Sequence, residues 1–96
     1  MKKIEKIIEE ATLDCYDESE CYGGWLATLE DEIETPQPCL ANRNPAELLR
    51  IVGAESGLGV NALIKIGKQR LIVPVETIVL ENKGQNAFIE AYEKWL

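Results

Sequence analysis

Ten carboxylates with no counter-charge among them are the part of this sequence with the clearest chemical potential. Between Ile7 and Asn42 there is no Lys or Arg, while the window holds Glu9, Glu10, Asp14, Asp17, Glu18, Glu20, Glu30, Asp31, Glu32 and Glu34. The other seven acids and ten bases leave a small positive surplus elsewhere, so the net charge of −7 originates in about one third of the chain. A one-sided distribution of this kind points to a cationic partner. Eight of the acids fall in two groups, Asp14/Asp17/Glu18/Glu20 and Glu30/Asp31/Glu32/Glu34, separated by Gly23–Gly24. Calcium takes six to eight oxygen ligands from carboxylates, carbonyls and water, and this stretch is rich in them. The glycine pair is expected to let the chain reverse and bring the two groups together. Trp25 and Leu29 would anchor the second group to the core.

The loop is not an EF-hand. Counting from Asp14, position six is Ser19 and position twelve is Trp25, where that loop needs Gly and Glu. A site here must be assembled from side chains on two segments. Other readings of the same acids stay open: magnesium, a basic protein partner, or a solvated face that keeps the protein soluble.

Other chemistry is poorly supplied. There is no histidine, which removes the commonest general base, the commonest transition-metal ligand and the Ser-His-Asp and Cys-His arrangements. Cys15, Cys21 and Cys39 lack a C-x-x-C knuckle, so zinc is a poor fit. Cys15 and Cys39 read as buried small hydrophobes. The segment GAESGLG lacks the Lys-Ser/Thr pair of a phosphate loop and reads as a turn. An enzyme is not expected. The acidic balance argues against nucleic acid and against an anionic membrane surface.

These residues need a scaffold. The 96 residues suit one domain, 1–96, with a modest core. Ile4, Ile7, Ile8 and Ala11 repeat at helical spacing, giving a helix over residues 2 to about 12 with acids at its C-terminal end. Residues 14–24 read as a loop, and 25–34 as a strand or helical turn. Pro36 and Pro38 interrupt regular structure. Strands are expected over 48–54, 62–66, 71–75 and 77–80. ESGLG at 55–59 and Gly67–Lys68 should form turns. Pro74 puts its strand at an edge or a bulge. Asn86 is expected to cap a closing helix, with Glu90 set four before Lys94. The fold class is α+β: an N-terminal helix, a small curled antiparallel sheet resembling an SH3-like barrel, and a C-terminal helix. No apolar run approaches a membrane span, and MKKIEKIIEE lacks the apolar stretch of a signal peptide. With an odd cysteine count, the expected location is cytoplasmic.

The chain also resembles the CcbP-type family of small calcium-binding proteins of cyanobacteria and other bacteria. The likeness runs from about Ile4 to Leu96. It rests on D-C-Y at 14–16, G-W at 24–25, L-E-D at 29–31, Pro36 followed by Cys39, L-I-V-P-V at 71–75 and the terminal E-K-W-L. The resemblance implies a non-EF-hand calcium-binding protein that buffers or regulates free calcium. It implies that Asp14, Glu20, Glu30 and Asp31 match the family's acids, with Asp31 the leading ligand. Asp17, Glu18, Glu32 and Glu34 are acidic without a clear match. Two departures stand out. The 55–59 turn carries a single acid, Glu55, and the sheet region carries Arg43, Lys65, Lys68 and Arg70, which suits weaker calcium affinity or an added protein contact. The alternative function is an adaptor whose acidic face meets a basic partner.

Overall fold

The computed structural model describes residues 4–96. The chain runs α1 (Ile4–Ala11), α2 (Glu18–Glu32), β1 (Gln37–Ala41), β2 (Asn44–Gly53), β3 (Val60–Ile66), β4 (Gln69–Pro74), a short 3₁₀ turn (Val75–Thr77), β5 (Ile78–Leu80) and α3 (Lys83–Trp95). The α+β class holds. Two helices precede the sheet rather than one. The first two positions of the expected N-terminal helix lie outside the described residues.

All strand pairs are antiparallel, in the spatial order β4-β3-β2-β1-β5. β4 and β5 are therefore the two edges, and the sheet is open where a curled sheet resembling an SH3-like barrel was expected. The hairpins follow local chemistry. Gly67 at φ 59° and Lys68 join β3 to β4, and Asn42 at φ 50° with Arg43 at φ 66° join β1 to β2. Two residues with positive φ form the turn whose twist suits adjacent strands. β2 begins four residues before the expected Leu48 and contains Pro45. Its pairing with β3 starts only at Glu47, so the missing proline N–H takes nothing from a ladder on that side. An irregularity between Leu48 and Arg50 bends β2. Pro74 ends edge strand β4, as its chemistry requires.

The largest departure is α2. A loop over 14–24 followed by a strand or helical turn over 25–34 was expected, and a single helix of 15 residues occupies 18–32 instead. Gly23 and Gly24 sit inside it. The glycines read as breakers because their propensity is poor, yet Gly24 has a packing reason. A Cβ there would collide with the backbone carbonyl oxygen of Ala11, so only glycine lets α1 and α2 approach this closely. The N-terminus of α2 is well capped: Asp17 Oδ1 accepts from Glu20 N at 2.9 Å, and Glu20 Oε2 accepts from Tyr16 N at 2.9 Å. These bonds satisfy amides that the helix itself leaves unpaired.

The helices form a second layer. α2 packs on β2, α3 on β5 and the 3₁₀ turn, and α1 rests on α3 and α2. Trp25 and Leu29, both 0% exposed, anchor α2 in the core as expected. Among the described residues Trp25 Nε1 has no hydrogen-bond partner; the indole acts as a hydrophobe against Tyr92 and Trp95. The hydroxyl of Tyr92 accepts the Val60 amide at 3.1 Å, tying α3 to the start of β3. The cap of α3 is Asn82, not Asn86. Asn86 lies one turn in, where its Oδ1 accepts Leu80 N and holds β5. Lys94 reaches Glu5 of α1 at 3.4 Å instead of closing the expected pair with Glu90.

Candidate metal centre

The helical α2 decides how the acidic residues are arranged. A reversal at Gly23–Gly24 would have brought the two groups together; a continuous helix holds them apart. Its rise of about 1.5 Å per residue sets the two ends roughly 22 Å apart. There are thus two acidic regions and not one shared site.

The first region lies before and within the opening turn of α2. Asp14 occupies the turn leaving α1, at φ 60°. Asp17 is the N-cap, and Glu18 and Glu20 follow in the first turn. Asp17 and Glu20 already accept backbone amides. Carboxylates at a helix N-terminus also meet the positive end of its dipole. Capping and the dipole therefore account for these acids without a metal.

A disulfide spans the same turn. Cys15 and Cys21 are bonded, with Cα atoms 5.2 Å apart. This corrects the reading of Cys15 as a buried small hydrophobe: it is half-buried and cross-linked to the first turn of α2. A six-residue separation gave no sign of pairing, because α2 was not foreseen; the first helical turn is what brings Cys21 back over Cys15. Cys39 fits its expected role as a buried free thiol, and burial pushes its pKa up.

The second region lies at the other end. Glu30, Asp31 and Glu32 fill the last turn of α2, which contains no basic residue, and Glu34 follows the helix. All four are exposed. Acids at this end oppose the dipole, whose negative pole is formed by carbonyls that lack intrahelical donors. The polypeptide here is held firmly. Ile33 is buried, and its amide donates to Leu29 O at 3.0 Å. Glu34 N donates to Gln85 Oε1 at 3.0 Å, while Gln37 Nε2 donates to both Glu34 O and Gln85 Oε1. Thr35–Pro36 is cis. Gln37 and Gln85 thus brace the acidic segment against α3. Sequence gave no signal for them, since their bonds bridge distant residues.

Glu30 also borders a shallow depression of about 430 Å³ with Ile33, Thr35, Arg50 and Val52. Arg50 is a cation near the acidic end that the charge pattern along the chain did not reveal. Among the described residues, no three Asp, Glu or Cys side chains converge closely enough to hold a metal ion. The donors at this end are nonetheless all oxygen, from carboxylates and from helix-terminal carbonyls. That set suits a hard cation such as calcium, with side-chain rotation needed to gather it.

Comparison with known proteins places the fold. No protein-family model matches the sequence, and no curated protein matches it either. Two solved structures are similar. The crystal structure of Anabaena CcbP superposes with a TM-score of 0.79 at 18% sequence identity, over 99% of this chain and 92% of that one. A calcium-binding protein in its calcium-binding form gives a TM-score of 0.78 at 18% identity, over 99% of this chain and 94% of that one. The chain therefore shares its fold with these proteins along almost its whole length.

Proposed function

We propose that this protein binds calcium through an acidic site of non-EF-hand type and acts as a buffer or regulator of free calcium. The observation that carries the reading is the last turn of α2: Glu30, Asp31 and Glu32, with Glu34 just beyond, crowd the negative pole of a helix that has no base to offset them. A cation there relieves carboxylate repulsion and satisfies terminal carbonyls at once. The shared fold with Anabaena CcbP and with a calcium-binding protein in its calcium-binding form supports calcium as the ion. In this reading Asp31 is the leading ligand. Asp14, Asp17, Glu18 and Glu20 form a second, weaker group, because a metal there competes with the amides that Asp17 and Glu20 already hold. The protein is a single domain that binds and does not catalyse, and cytoplasmic residence belongs to the same proposal.

The test is isothermal titration calorimetry of chelator-stripped protein with calcium and with magnesium at physiological salt. Saturable calcium binding that millimolar magnesium does not displace is the expected result. Linkage then raises stability by about 2.7 kcal/mol at a hundredfold excess over Kd. No heat and no rise in melting temperature would overturn the proposal. The adaptor reading would gain from that outcome, since all eight acids are exposed. Its signature is binding to a basic protein that weakens with sodium chloride and ignores chelator.

A further inference from the structure

We propose that edge strand β4 is a docking site for an extended acidic segment of a partner protein, which would add to the sheet as a sixth strand. Three features of the edge lead to this. The first is exposure. Among the described residues no strand pairs with the outer side of β4, and Ile72 near its middle is 65% exposed. Edge strands are usually blunted because their free N–H and C=O groups invite another strand. Here Pro74 stops the strand at its end but leaves Leu71 and Ile72 open.

The second feature is a groove on the core-facing side. Leu71 and Val73 of β4 stand opposite Ile64 and Ala62 of β3. Leu71, Val73 and Ile64, with Ile66 and Ala41, line a largely apolar cavity of about 430 Å³ that Asn42, Asn44 and Thr77 complete. An added strand alternates its side chains across the sheet. Its inward residues would lie over this groove and cover Leu71, which β4 leaves 41% exposed on that face.

The third feature is an incomplete row of charges on the opposite side. Glu47 of β2 stands opposite Lys65 of β3, and Lys65 stands opposite Arg70 of β4. Two cations directly opposite one another across a strand pair repel. Lys65 has Glu47 on its other flank, but Arg70 faces open solvent beyond the edge. Among the described residues Arg70 pairs with no carboxylate. An acid on an added strand would take the empty place and complete an alternating row. Lys68 in the adjoining turn supplies a second cation at the same end of the edge. A second copy of this chain fits less well. Its own β4 brings more cations and no acid.

This docking surface is separate from the acidic end of α2, so its failure and the failure of calcium binding are independent. The probe is a blocked six-residue peptide of alternating Val and Glu, with a Val/Lys peptide as control. Binding is followed by amide shifts in two-dimensional NMR at low and physiological salt. Expected are saturable shifts confined to β4, the Gly67–Lys68 turn and groove residues, with the Val/Lys peptide inert. Arg70→Glu should weaken the acidic peptide roughly fivefold, the upper range for one cross-strand pair, and should favour the Val/Lys peptide instead. Arg70 is exposed, so the variant folds, and its unchanged spectrum elsewhere checks this. No shifts with either peptide, equal shifts with both, or an Arg70→Glu variant that binds the acidic peptide undiminished would each overturn the proposal. The charged edge would then serve only to prevent pairing.

Discussion

Alanine at Gly23 and alanine at Gly24 should have opposite effects on stability. Both positions lie inside α2, one residue apart. Nothing lies within 4 Å of a Cβ placed at Gly23, so the substitution meets no neighbour there. Alanine in an exposed helix interior is worth about 0.8–1.0 kcal/mol over glycine. For a domain of this size, 1 kcal/mol corresponds to a rise of about 4–8 °C in melting temperature. At Gly24 the same methyl runs into the carbonyl oxygen of Ala11. A backbone group cannot swing aside as a side-chain end can, so α1 and α2 must separate. Overpacking of this kind costs about 1–3 kcal/mol. Part of that is offset by the same propensity gain, leaving a net loss of up to about 2 kcal/mol. Thermal and urea unfolding followed by circular dichroism, in chelator to remove any metal effect, measures both. A Gly23→Ala protein less stable than the parent would refute the continuous helix and restore a chain reversal at the glycine pair. A Gly24→Ala protein as stable as Gly23→Ala would refute the close crossing with α1.

Asp31→Asn should weaken calcium binding several-fold in calorimetry. It should also raise apo stability by about 0.3–1 kcal/mol, because a negative charge leaves the wrong end of a helix dipole; unchanged affinity would remove Asp31 from the site. Asp17→Ala should behave in the opposite way, losing about 1 kcal/mol with the cap and leaving the tighter calcium step intact. Tyr92→Phe strands the Val60 amide in the interior and should cost about 1–3 kcal/mol in urea unfolding, whereas a loss below a few tenths would mean that the amide finds another acceptor. Burial raises the pKa of both Tyr92 and Cys39. Each group therefore ionises first in the unfolded chain. The stability their neutral forms contribute is full below the unfolded pKa values and is lost as pH rises through the folded ones. Unfolding midpoints should fall on the alkaline side of about pH 9, and Cys39→Ala should shift where that fall begins.

Much of the sheet was legible because its signals are local. Gly67, the ESGLG turn and Pro74 act through their own backbone preferences, and each occurs where those preferences put it. Helix α1 was legible because one face repeats at i, i+3, i+4. Helix α2 was not. Its apolar face, Trp25 and Leu29 with the half-buried Tyr22 and Leu26, does repeat at helical spacing, but the glycines weigh against a helix until Ala11 is seen beside them. The pair Asp17 and Glu20 was visible and has capping-box spacing, yet carboxylates at a helix start and carboxylates in a cation loop are the same letters. The cap of α3 was misplaced for a related reason: Asn82 and Asn86 are both suitable, and only the tertiary bond from Leu80 N engages the second. The acidic character of the candidate site was readable in full. Its division into two regions depended on α2, and its bracing by Gln37 and Gln85 depended on contacts between residues far apart in the chain.

The length of α2 has a consequence for any titration of its two acidic ends. At about 0.15 M salt the Debye length is about 8 Å. A separation of roughly 22 Å, set by helix rise, is then nearly three screening lengths. An ion arriving at Glu30–Glu34 should therefore leave the affinity of the Asp14–Glu20 region unchanged, with a Hill coefficient no greater than one. At about 0.01 M salt the screening length grows to about 30 Å and exceeds the helix. The two ends then share one electrostatic field, and occupation of the first should oppose occupation of the second. The rigid helix would act as an insulating spacer whose effectiveness is set by the surrounding electrolyte.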